Sequence, residues 1–592
     1  MKPTFTKSLQ SILSLDLRSL ALMRVGTAIL LLTILWTRSL DLTAFYTDAG
    51  IFPRSESLKA LGNIPFSLHL LSGSPGFEAM LFLIAAVFAL LLLVGYKTRI
   101  ATIVSYILLT SLINRSGYVA NAGDAILDVI LLWGIFLPWQ ARFSVDSIRN
   151  AKYKLLNNTF FSAGSIGYTF QVFCIYFFAS LLKDNLEWRV YGTAVQIALQ
   201  SRHTTMIGYA LLQLPFWVLK ALNFFVLFYE FFGALFLLYP RRNGLIRTFV
   251  IFGFIIMHIS FGICLNLGAF SQIAIVALSG LLPGFFWLKL DFLTKKIMKE
   301  RLVIIFDGMC GSCATVIQVI NTFLLVPSLT TTPLQENPAL TKEMNSKSSW
   351  IIIDKKGQHY HKYNGVHLLI RNSPILFLFT PLSLLIQKSG LGDRLYTFVA
   401  SNRTCNIKPD KKVVAKKPFF EQSKFTRYFC ILLLTWIVFS NILSLFRLQK
   451  IPFSRIFSLS ATMQLSQSWV MFSHVKLYPT KKWIVIPGKL KDGRVVDLFQ
   501  NGKPLSWKTP IVVSETFKNS SWITLMNELT TRRGGYNFKQ YGSFLCTQWD
   551  QHHSNQQRLQ TLDMYLASQE YTSNLPEAQF RTPLLTNFAC PQ

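Results

Sequence analysis

The sequence predicts a polytopic α-helical membrane protein that carries a mixed α/β domain and a small β-containing tail. Of its 592 residues, 51% are hydrophobic and only 15% are charged, whereas soluble proteins have about 25% charged residues. Several apolar runs approach the length of about 20 residues that a helix needs to cross a bilayer. A Cys-x-x-Cys motif, formed by Cys310 and Cys313, lies between two such runs and predicts a separate domain.

Nine apolar segments predict membrane-spanning helices. They cover residues 19–38, 78–95, 100–114, 124–139, 165–182, 215–239, 246–265, 268–289 and 428–446. The first is interpreted as a retained helix, because its flanks lack a short apolar core followed by a small-residue cleavage site. Residues 1–290 are therefore expected to form one transmembrane bundle, and residues 428–446 a ninth transmembrane helix.

Charge predicts which side of the membrane each loop occupies. The chain has 59 Lys and Arg against 28 Asp and Glu, a net charge of +31, and basic residues concentrate in cytoplasmic loops of membrane proteins. With the N-terminus inside, basic clusters fall in loops on the same side. We therefore expect a multi-pass protein of a bacterial-type inner membrane, with residues 290–427 cytoplasmic and residues 448–592 outside. No nucleic-acid-binding pattern is present, so the lipid bilayer and not a nucleic acid is the expected partner.

The stretch 302–319, LVIIFDGMCGSCATVIQV, predicts a strand, a tight turn and a helix. The two cysteines fall at the start of the helix, where free backbone N–H groups and the helix dipole stabilise a thiolate. A lowered thiol pKa makes Cys310 the better nucleophile. Cys313, one helical turn later, is placed to resolve a mixed disulfide.

Two other interpretations of this motif remain open. A zinc site normally has four ligands, and the available His359, His361 and His367 lie in a polar, loop-like stretch, so we expect no metal. The pair could also be structural, although a permanent disulfide is disfavoured in a reducing cytoplasm. The preceding Asp307 is either a proton acceptor for the thiols or a turn residue.

The motif residues resemble a known family. FDGMCGSC at 306–313, WIIIDKKG at 350–357 and YTFVASNR at 396–403 are similar to the DCC family of thiol-disulfide oxidoreductases, over residues 301–405. The resemblance implies a thioredoxin-like fold, thiol-disulfide exchange and a cytoplasmic thiol partner whose identity the sequence does not give.

The membrane half resembles a second family. Four stretches carry the resemblance, at residues 41–54, 121–146, 176–195 and 255–270. Together they are similar to the HTTM domain, which is shared with vitamin K-dependent gamma-carboxylases. The resemblance implies carboxylase-like chemistry on a quinone or lipidic substrate, with a quinone-type reductant as cofactor. It also implies that Lys183 acts as the base.

Ionisable residues in the bundle are the candidate site in the membrane. Lys183 is either a partly desolvated base or a lysine whose charge reaches the interface. His258 lies within the seventh span, and an intramembrane ionisable residue is a functional hypothesis by default. We expect Lys183 and His258 to share a pocket in the outer half, with Glu230 deeper. Asp124 and Asp128 are expected to cap a helix or pair with basic residues.

The tail and the two families together lead to one functional interpretation. Residues 448–592 predict an extracytoplasmic β-containing domain, in which Cys546 and Cys590 could form a disulfide. The chain is predicted to be a membrane-embedded oxidoreductase that exchanges thiols and disulfides through Cys310 and Cys313. The alternative is a non-enzymatic transporter or scaffold with a redox-regulatory thiol pair.

Overall fold

The architecture is that of a computed structural model. It describes residues 10, 12–61, 66–150, 157–239, 244–297, 301–402, 423–447, 454–473, 480–531, 535–570, 579–581 and 583–591. The helices of the membrane half are α1 Leu17–Ser39, α2 Leu42–Tyr46, α3 Arg54–Leu61, α4 Pro75–Val94, α5 Thr98–Arg115, α6 Ala122–Gly134, α7 Val145–Arg149, α8 Ala163–Leu182, α9 Ala194–Leu199, α10 Met206–Leu211, α11 Phe216–Leu237, α12 Leu245–Cys264, α13 Phe270–Ser279 and α14 Gly284–Ile297. A short antiparallel pair, β1 Leu15–Asp16 and β2 Thr159–Phe160, joins two of their ends.

The second half of the chain adds further helices and two larger sheets. Its helices are α15 Gly311–Phe323, α16 Thr341–Lys347, α17 Lys362–Arg371, α18 Thr380–Lys388, α19 Leu391–Ser401, α20 Lys424–Leu445, α21 Ser454–Thr462, α22 Ser520–Thr531 and α23 Gly535–Asp550. Its strands are β3 Leu302–Phe306, β4 Leu329–Pro333, β5 Ile351–Ile353, β6 His359–Tyr360, β7 Thr480–Val485, β8 Pro487–Leu490, β9 Val495–Asp497, β10 Lys503–Pro504, β11 Leu559–Glu570, β12 Gln579–Arg581 and β13 Leu584–Ala589.

Six helices of the described residues are long and apolar enough to cross a bilayer, namely α1, α4, α8, α11, α12 and α20. The predicted third and fourth spans form α5, with 18 residues, and the shorter α6, with 13 residues. The single eighth span expected at 268–289 is instead the pair α13 and α14, which meet at an angle of 92°. Several long apolar helices of this kind belong to a multi-pass membrane protein.

Helix ends in the bundle follow local sequence signals. Ser74 caps α4, with Pro75 at its first position, and Gly95 ends the helix with a φ of 69°. This left-handed backbone conformation is one that glycine adopts without steric cost. At the start of α6, Asn121 and Asp124 form a reciprocal capping box.

The described helices define two ends of the bundle. At one end, Asp146 in the first turn of α7 accepts a hydrogen bond from the backbone N–H of Lys97 at 3.0 Å, and α7 contacts α15 of the α/β domain. We call this the dithiol end. At the other end, Asp41 pairs with Lys518 of the C-terminal domain, Nζ to Oδ1, at 2.5 Å. We call this the tail end.

The turn between α13 and α14 lies at the dithiol end. Ser19, near the start of α1, donates to the carbonyl of Leu282 at 2.6 Å, and Trp287 on α14 donates through Nε1 to the Ser19 hydroxyl at 2.7 Å. The guanidinium of Arg18 lies 5.5 Å from the centre of the Trp287 ring. These contacts hold the start of α14 against the first turn of α1. Helix α14 therefore turns away from the direction of α13.

The α/β domain is built on four strands of the described residues in the order β4-β3-β5-β6. Strand β3 is parallel to β4 and antiparallel to β5, with Ile304 opposite Thr331 on one side and Ile352 on the other. Parallel neighbours need a crossover connection, usually a helix, and α15 lies between β3 and β4 in the chain. Ile317 and Ile320 of α15 pack with Ile304 and Ile352 in the domain core.

The C-terminal domain has a larger mixed layer of strands and helices. Its seven described strands form a sheet centred on β11, which pairs with β7, β8, β12 and β13. The turns that precede β9 and β10 contain Gly493 and Asn501–Gly502 with positive φ, as the Asp-Gly and Asn-Gly sequences predict. Helix α23 packs on β13, and a disulfide joins Cys546 to Cys590 across this contact.

Candidate redox and membrane sites

The dithiol lies where strand β3 turns into helix α15. Cys310 is the N-cap residue of α15, with an extended backbone conformation, and it is buried. Its carbonyl accepts from the N–H of Ala314 at 3.1 Å, which begins the helical hydrogen bonds. Cys313 follows within the first turn and is partly exposed. Both cysteines therefore lie at the start of the helix, where the first backbone N–H groups have no partner within the helix.

Asp307 supports the turn that precedes the dithiol. Its Oδ1 accepts hydrogen bonds from the backbone N–H of Met309 at 2.9 Å and from Gln335 Nε2 at 3.1 Å. The side-chain carbonyl of Gln335 in turn accepts from the N–H of Gly308 at 3.2 Å. These contacts match the turn role of Asp307, and they do not test its role as a proton acceptor.

Cys310 takes part in a disulfide. Of the other cysteines, Cys174, Cys264 and Cys430 are free, and Cys546 is bonded to Cys590. The sulfur of Cys310 is therefore oxidised in this structure.

The histidines weighed as zinc ligands have other partners. His359 Nδ1 and His361 Nε2 both lie 2.9 Å from Glu343 Oε1, and His367 Nδ1 lies 3.0 Å from the Ser383 hydroxyl. The hydrogen bond from His359 holds the pKa of the Glu343 carboxyl below its ordinary value. Among the described residues, no three His, Cys, Asp or Glu side chains group as metal ligands would.

In the bundle, Lys183 and Glu230 form a buried ion pair. The Lys183 Nζ lies 2.5 Å from Glu230 Oε2 and 3.3 Å from the carbonyl of Ala179. Both residues are more than nine-tenths buried, and the ammonium lies 5.3 Å from the centre of the Trp188 ring. Lys183 is the C-cap of α8, and Arg189 Nε donates to its carbonyl at 3.0 Å.

His258 belongs to a second buried pair, one that involves Tyr176. The Tyr176 hydroxyl lies 2.8 Å from His258 Nε2, and its ring stacks on Phe254 at 4.1 Å between ring centres. The other ring nitrogen of His258, Nδ1, is buried and has no hydrogen-bond partner among the described residues. An unpaired buried polar atom of this kind is uncommon and calls for an explanation.

The two pairs lie along neighbouring helices. Tyr176 and Lys183 are seven residues apart on α8, and such residues lie on the same helix face. Glu230 on α11 is close enough to Tyr176 for an electrostatic interaction. Lys183 therefore contacts Glu230 directly, and His258 contacts Tyr176. Whether Lys183 and His258 share one pocket stays a prediction. Sequence spacing could not reveal which helix faces α8 at each level.

Of the two aspartates on α6, Asp124 caps the helix and pairs with a basic residue as expected, whereas Asp128 binds a hydroxyl. Asp124 Oδ2 pairs with Arg38 Nη2 at 2.7 Å and also accepts from the N–H of Asn121 at 2.9 Å. Asp128 Oδ1 accepts from the hydroxyl of Thr110 at 2.7 Å. Both carboxylates are buried, so these contacts tie α6 to α1 and α5.

A further buried ionic cluster at the tail end escaped the sequence analysis. His69 Nδ1 lies 2.5 Å from Glu78 Oε2, and both side chains are buried. Arg115 Nη1 donates to the carbonyl of Phe52 at 2.9 Å and to the Ser57 hydroxyl at 2.8 Å. Glu78 lies in the first turn of α4, where acidic residues are common, so its position carried no distinct signal of a buried pair.

Comparisons with known proteins place two domains on the chain. A family model of the HTTM domain matches residues 57–283, and a model described as DCC1-like thiol-disulfide oxidoreductase matches residues 304–405. No curated protein and no solved structure matches the chain. Both resemblances that the sequence motifs predict are confirmed. The chain is a fusion of an HTTM domain with a DCC1-like thiol-disulfide oxidoreductase domain.

Proposed function

We propose that the chain is a membrane-embedded oxidoreductase whose DCC1-like domain exchanges thiols and disulfides through Cys310 and Cys313. The observation that carries the proposal is the position of Cys310, buried at the N-cap of α15, with Cys313 in the first turn of the same helix. The strand order β4-β3-β5-β6 supports a thioredoxin-like fold for this domain. The pair β3–β4 is parallel, and the pairs β3–β5 and β5–β6 are antiparallel. Free N–H groups at the helix start favour the thiolate that such exchange requires.

The proposed reaction transfers two electrons from the dithiol to a substrate disulfide. The Cys310 thiolate attacks one substrate sulfur, so a mixed disulfide forms and the other substrate sulfur leaves as a thiolate. The Cys313 thiolate then attacks the sulfur of Cys310, which releases the second substrate thiolate and leaves Cys310 and Cys313 oxidised. A low-molecular-weight thiol reductant returns the pair to the dithiol state by the same steps in reverse.

We propose that the dithiol end faces the cytoplasm and the tail end faces the outside of an inner membrane. Basic clusters at 97–99 and 142–149 adjoin the dithiol end, in agreement with the tendency of basic loops to be cytoplasmic. The disulfide between Cys546 and Cys590 lies in the domain at the tail end. Stable disulfides form outside the cytoplasm, so both observations support the same orientation.

A second, separate proposal concerns the bundle. Lys183 with Glu230, and Tyr176 with His258, would form a proton-handling site of carboxylase-like type in the HTTM domain. A quinone-type reductant would supply electrons there when bound. The buried, unpartnered Nδ1 of His258 is the group that would hold a quinone oxygen, and Glu230 would take or return a proton at Lys183 Nζ. Lys183 lies towards the tail end of the bundle, whereas the dithiol lies at the opposite end. The two sites are therefore tested separately.

The dithiol proposal is tested by trapping the mixed disulfide. Full-length protein in nanodiscs is mixed with a peptide disulfide, and adducts are mapped by mass spectrometry without reduction. Cys313→Ser should accumulate the peptide on Cys310, whereas Cys310→Ser should form no adduct at the motif. Cys264→Ser, which removes a free thiol of α12, is the matched control and should behave like the unmodified chain.

The same measurement tests the resolving role of Cys313 against Cys405, the cysteine at the end of the matched domain. If Cys405→Ser traps the adduct and Cys313→Ser does not, Cys405 is the resolving cysteine and the role proposed for Cys313 is wrong. If neither variant traps an adduct and Cys310 never reacts, the thiol-exchange function itself is wrong.

The membrane proposal is tested with a variant that removes the ion pair without leaving a lone charge. Lys183→Met/Glu230→Leu replaces both partners by apolar side chains of similar size, so the bundle should remain folded. Oxidation of a soluble hydroquinone by dissolved dioxygen, which takes the two electrons and two protons, should be catalysed by the protein in nanodiscs and lost in this double variant. Unchanged oxidation would assign the pair to structure alone, and the carboxylase-like proposal would then fail.

A further inference from the structure

One side of the DCC1-like domain exposes an unusual number of large apolar side chains. They lie in the segment 375–399, where Leu378 is 71% exposed, Leu385 66% and Phe398 68%. Scattered exposed leucines are ordinary, but contiguous apolar patches on a domain surface mark sites of interaction with protein or membrane.

Helix α18 turns its polar side towards the rest of the domain. The Ser383 hydroxyl lies 3.3 Å from the hydroxyl of Tyr363 on α17, and Gln387 Nε2 donates to Asn364 Oδ1 at 2.8 Å. The exposed leucines of this segment, 378, 382 and 385, recur at the three- and four-residue spacing of one helix face. That face therefore points away from α17.

Helix α19 has the same arrangement. The Tyr396 hydroxyl accepts from the Ser349 hydroxyl at 3.1 Å, and its ring lies 5.9 Å from that of Trp350, so this side of α19 faces the sheet. Leu391, Leu395 and Phe398 are about half exposed or more. Because α18 and α19 pack on each other and both pack on α17, their exposed faces adjoin.

We propose that this apolar face, formed by Leu378, Leu382, Leu385, Leu391, Leu395 and Phe398, docks the DCC1-like domain onto the surface of the bilayer beside the bundle. The occupant is the lipid itself, with the six side chains inserted among the headgroups and upper acyl chains. Helices with one apolar and one polar face bind membranes in this way, parallel to the surface.

The connections of the domain hold it at the membrane. Helix α14 ends at Ile297 and β3 begins at Leu302, a separation of five residues that spans at most about 18 Å. On the other side, α20 begins at Lys424 and is long and apolar enough to cross a bilayer. Helix α15 also contacts α7 at the dithiol end of the bundle. Lipid is therefore the apolar phase within reach of this face.

Charge next to the face suits an anionic bilayer. Lys388 ends α18 and Arg394 lies in α19. Helix α14 adds the exposed Lys289, Lys295 and Lys296 beside the exposed apolar side chains of Phe292 and Ile297. Basic residues near a membrane surface are attracted to acidic headgroups, so both segments match an interface rather than open water.

The experiment labels the intact chain from within the bilayer. The full-length protein is reconstituted in vesicles of phosphatidylethanolamine and phosphatidylglycerol that contain phosphatidylcholine with a photoactivatable diazirine in its acyl chain. After illumination, labelled peptides are identified by mass spectrometry. We expect label on 375–399 at a level comparable to the span α4, and none on 341–360 in the same domain.

A charge placed on the face tests the contact directly. Leu382→Glu/Leu385→Glu should reduce label on 375–399 at least fivefold while label on α4 is unchanged. Ile511→Glu, which alters an exposed apolar residue of the C-terminal domain, is the matched control and should change nothing. Both leucines are exposed, so the substitutions leave the domain core intact.

Two results would overturn the proposal. Labelled α4 with unlabelled 375–399 means that the face does not meet lipid, and a chemical cross-link from this segment to a second copy of the chain would then identify a protein interface. Equal labelling of 375–399 in the Glu variant and the unmodified chain means that the label does not depend on the apolar face. None of these outcomes depends on whether the dithiol is active.

Discussion

Lys183 and Glu230 form an ion pair inside the helix bundle, with 2.5 Å between Nζ and Oε2. Each side chain comes from a different helix, and both are almost fully shielded from solvent. A buried pair of this kind gains little net stability over an apolar pair, because both charges must first be removed from water. Stability alone therefore does not account for the pair, which is consistent with the proton-handling role that we propose for it.

We predict that the single and double variants of this pair differ in stability. Lys183→Met or Glu230→Leu alone leaves one uncompensated buried charge and should lower the free energy of unfolding by about 3–5 kcal/mol. The double variant should recover most of that loss. Thermal unfolding in nanodiscs, followed by intrinsic fluorescence, measures all three. Additive losses in the double variant would show that the two side chains do not interact.

A second prediction concerns the hydrogen bond between Tyr176 and His258. Tyr176→Phe removes the hydroxyl that meets Nε2 at 2.8 Å and leaves the imidazole unpaired on that side. A buried polar group that loses its partner should cost about 1–3 kcal/mol of stability. Hydroquinone oxidation should fall in addition, if His258 holds the substrate.

The neighbouring Tyr229 provides the control for this substitution. Its hydroxyl donates to the carbonyl of Val250 at 2.9 Å, so Tyr229→Phe removes a hydroxyl from the same part of the bundle without touching His258. If both substitutions reduce oxidation equally, the effect is general and the role assigned to His258 is wrong.

Much of the fold could be predicted from the sequence because each part has a strong local signal. The apolar runs around α1, α4, α8, α11, α12 and α20 identify long helices, and LVIIF followed by Asp307-Gly308 identifies β3 and its turn. The single span expected at 268–289 overlooked Pro283-Gly284, a turn signal inside the apolar run, and the sequence does not indicate the angle between α13 and α14. The bend depends on contacts such as that of Ser19 with Leu282, which join residues far apart in the chain.

The sites were predictable in their residues but not in their pairings. Intramembrane charge singled out Lys183, Glu230 and His258, since such residues are rare in apolar helices. Which of them meet depends on the rotation of α8 against α11 and α12. Tyr176 was not predicted as a partner, because a tyrosine among phenylalanines carries no polar signal of its own.

The disulfide between Cys546 and Cys590 should stabilise the C-terminal domain. The two cysteines are 44 residues apart, and closing a loop of that length corresponds to about 4 kcal/mol in the chain-entropy account. Cys546→Ser/Cys590→Ser should therefore lower the stability of this domain, as measured by hydrogen exchange of β11 and β13. An unchanged exchange rate would show that the sheet holds the domain without the bond.

The same cysteines report the orientation of the tail. In intact cells, after mild reduction, a membrane-impermeant maleimide should label Cys546 and Cys590 if the tail lies outside. Cys313 should remain unlabelled until the membrane is opened. Labelling in the reverse order would contradict the proposed orientation.

The last prediction concerns His203, which joins the bundle to the C-terminal domain. Its Nδ1 lies 3.1 Å from the carbonyl of Asn266, and its Nε2 lies 3.1 Å from Asn527 Nδ2 on α22. The first contact needs a proton on Nδ1 and the second needs Nε2 as an acceptor, so the ring is neutral here. Burial lowers the pKa of His203 below its ordinary value of 6.5, and the charge of nearby Arg202 lowers it further.

The pKa of His203 is lowered while the bundle and the C-terminal domain are in contact. As the pH falls, His203 is therefore protonated more readily when the two domains have separated. Contact between the two domains should therefore be at full strength above about pH 6.5 and weaken below it. Hydrogen exchange of α22, compared between pH 7.5 and 5.5 after correction for intrinsic rates, should show faster opening at the lower pH. His203→Gln removes the titrating group and should abolish the difference, whereas His552→Gln, an exposed histidine, should preserve it. If His203→Gln keeps the full pH dependence, another group controls the contact.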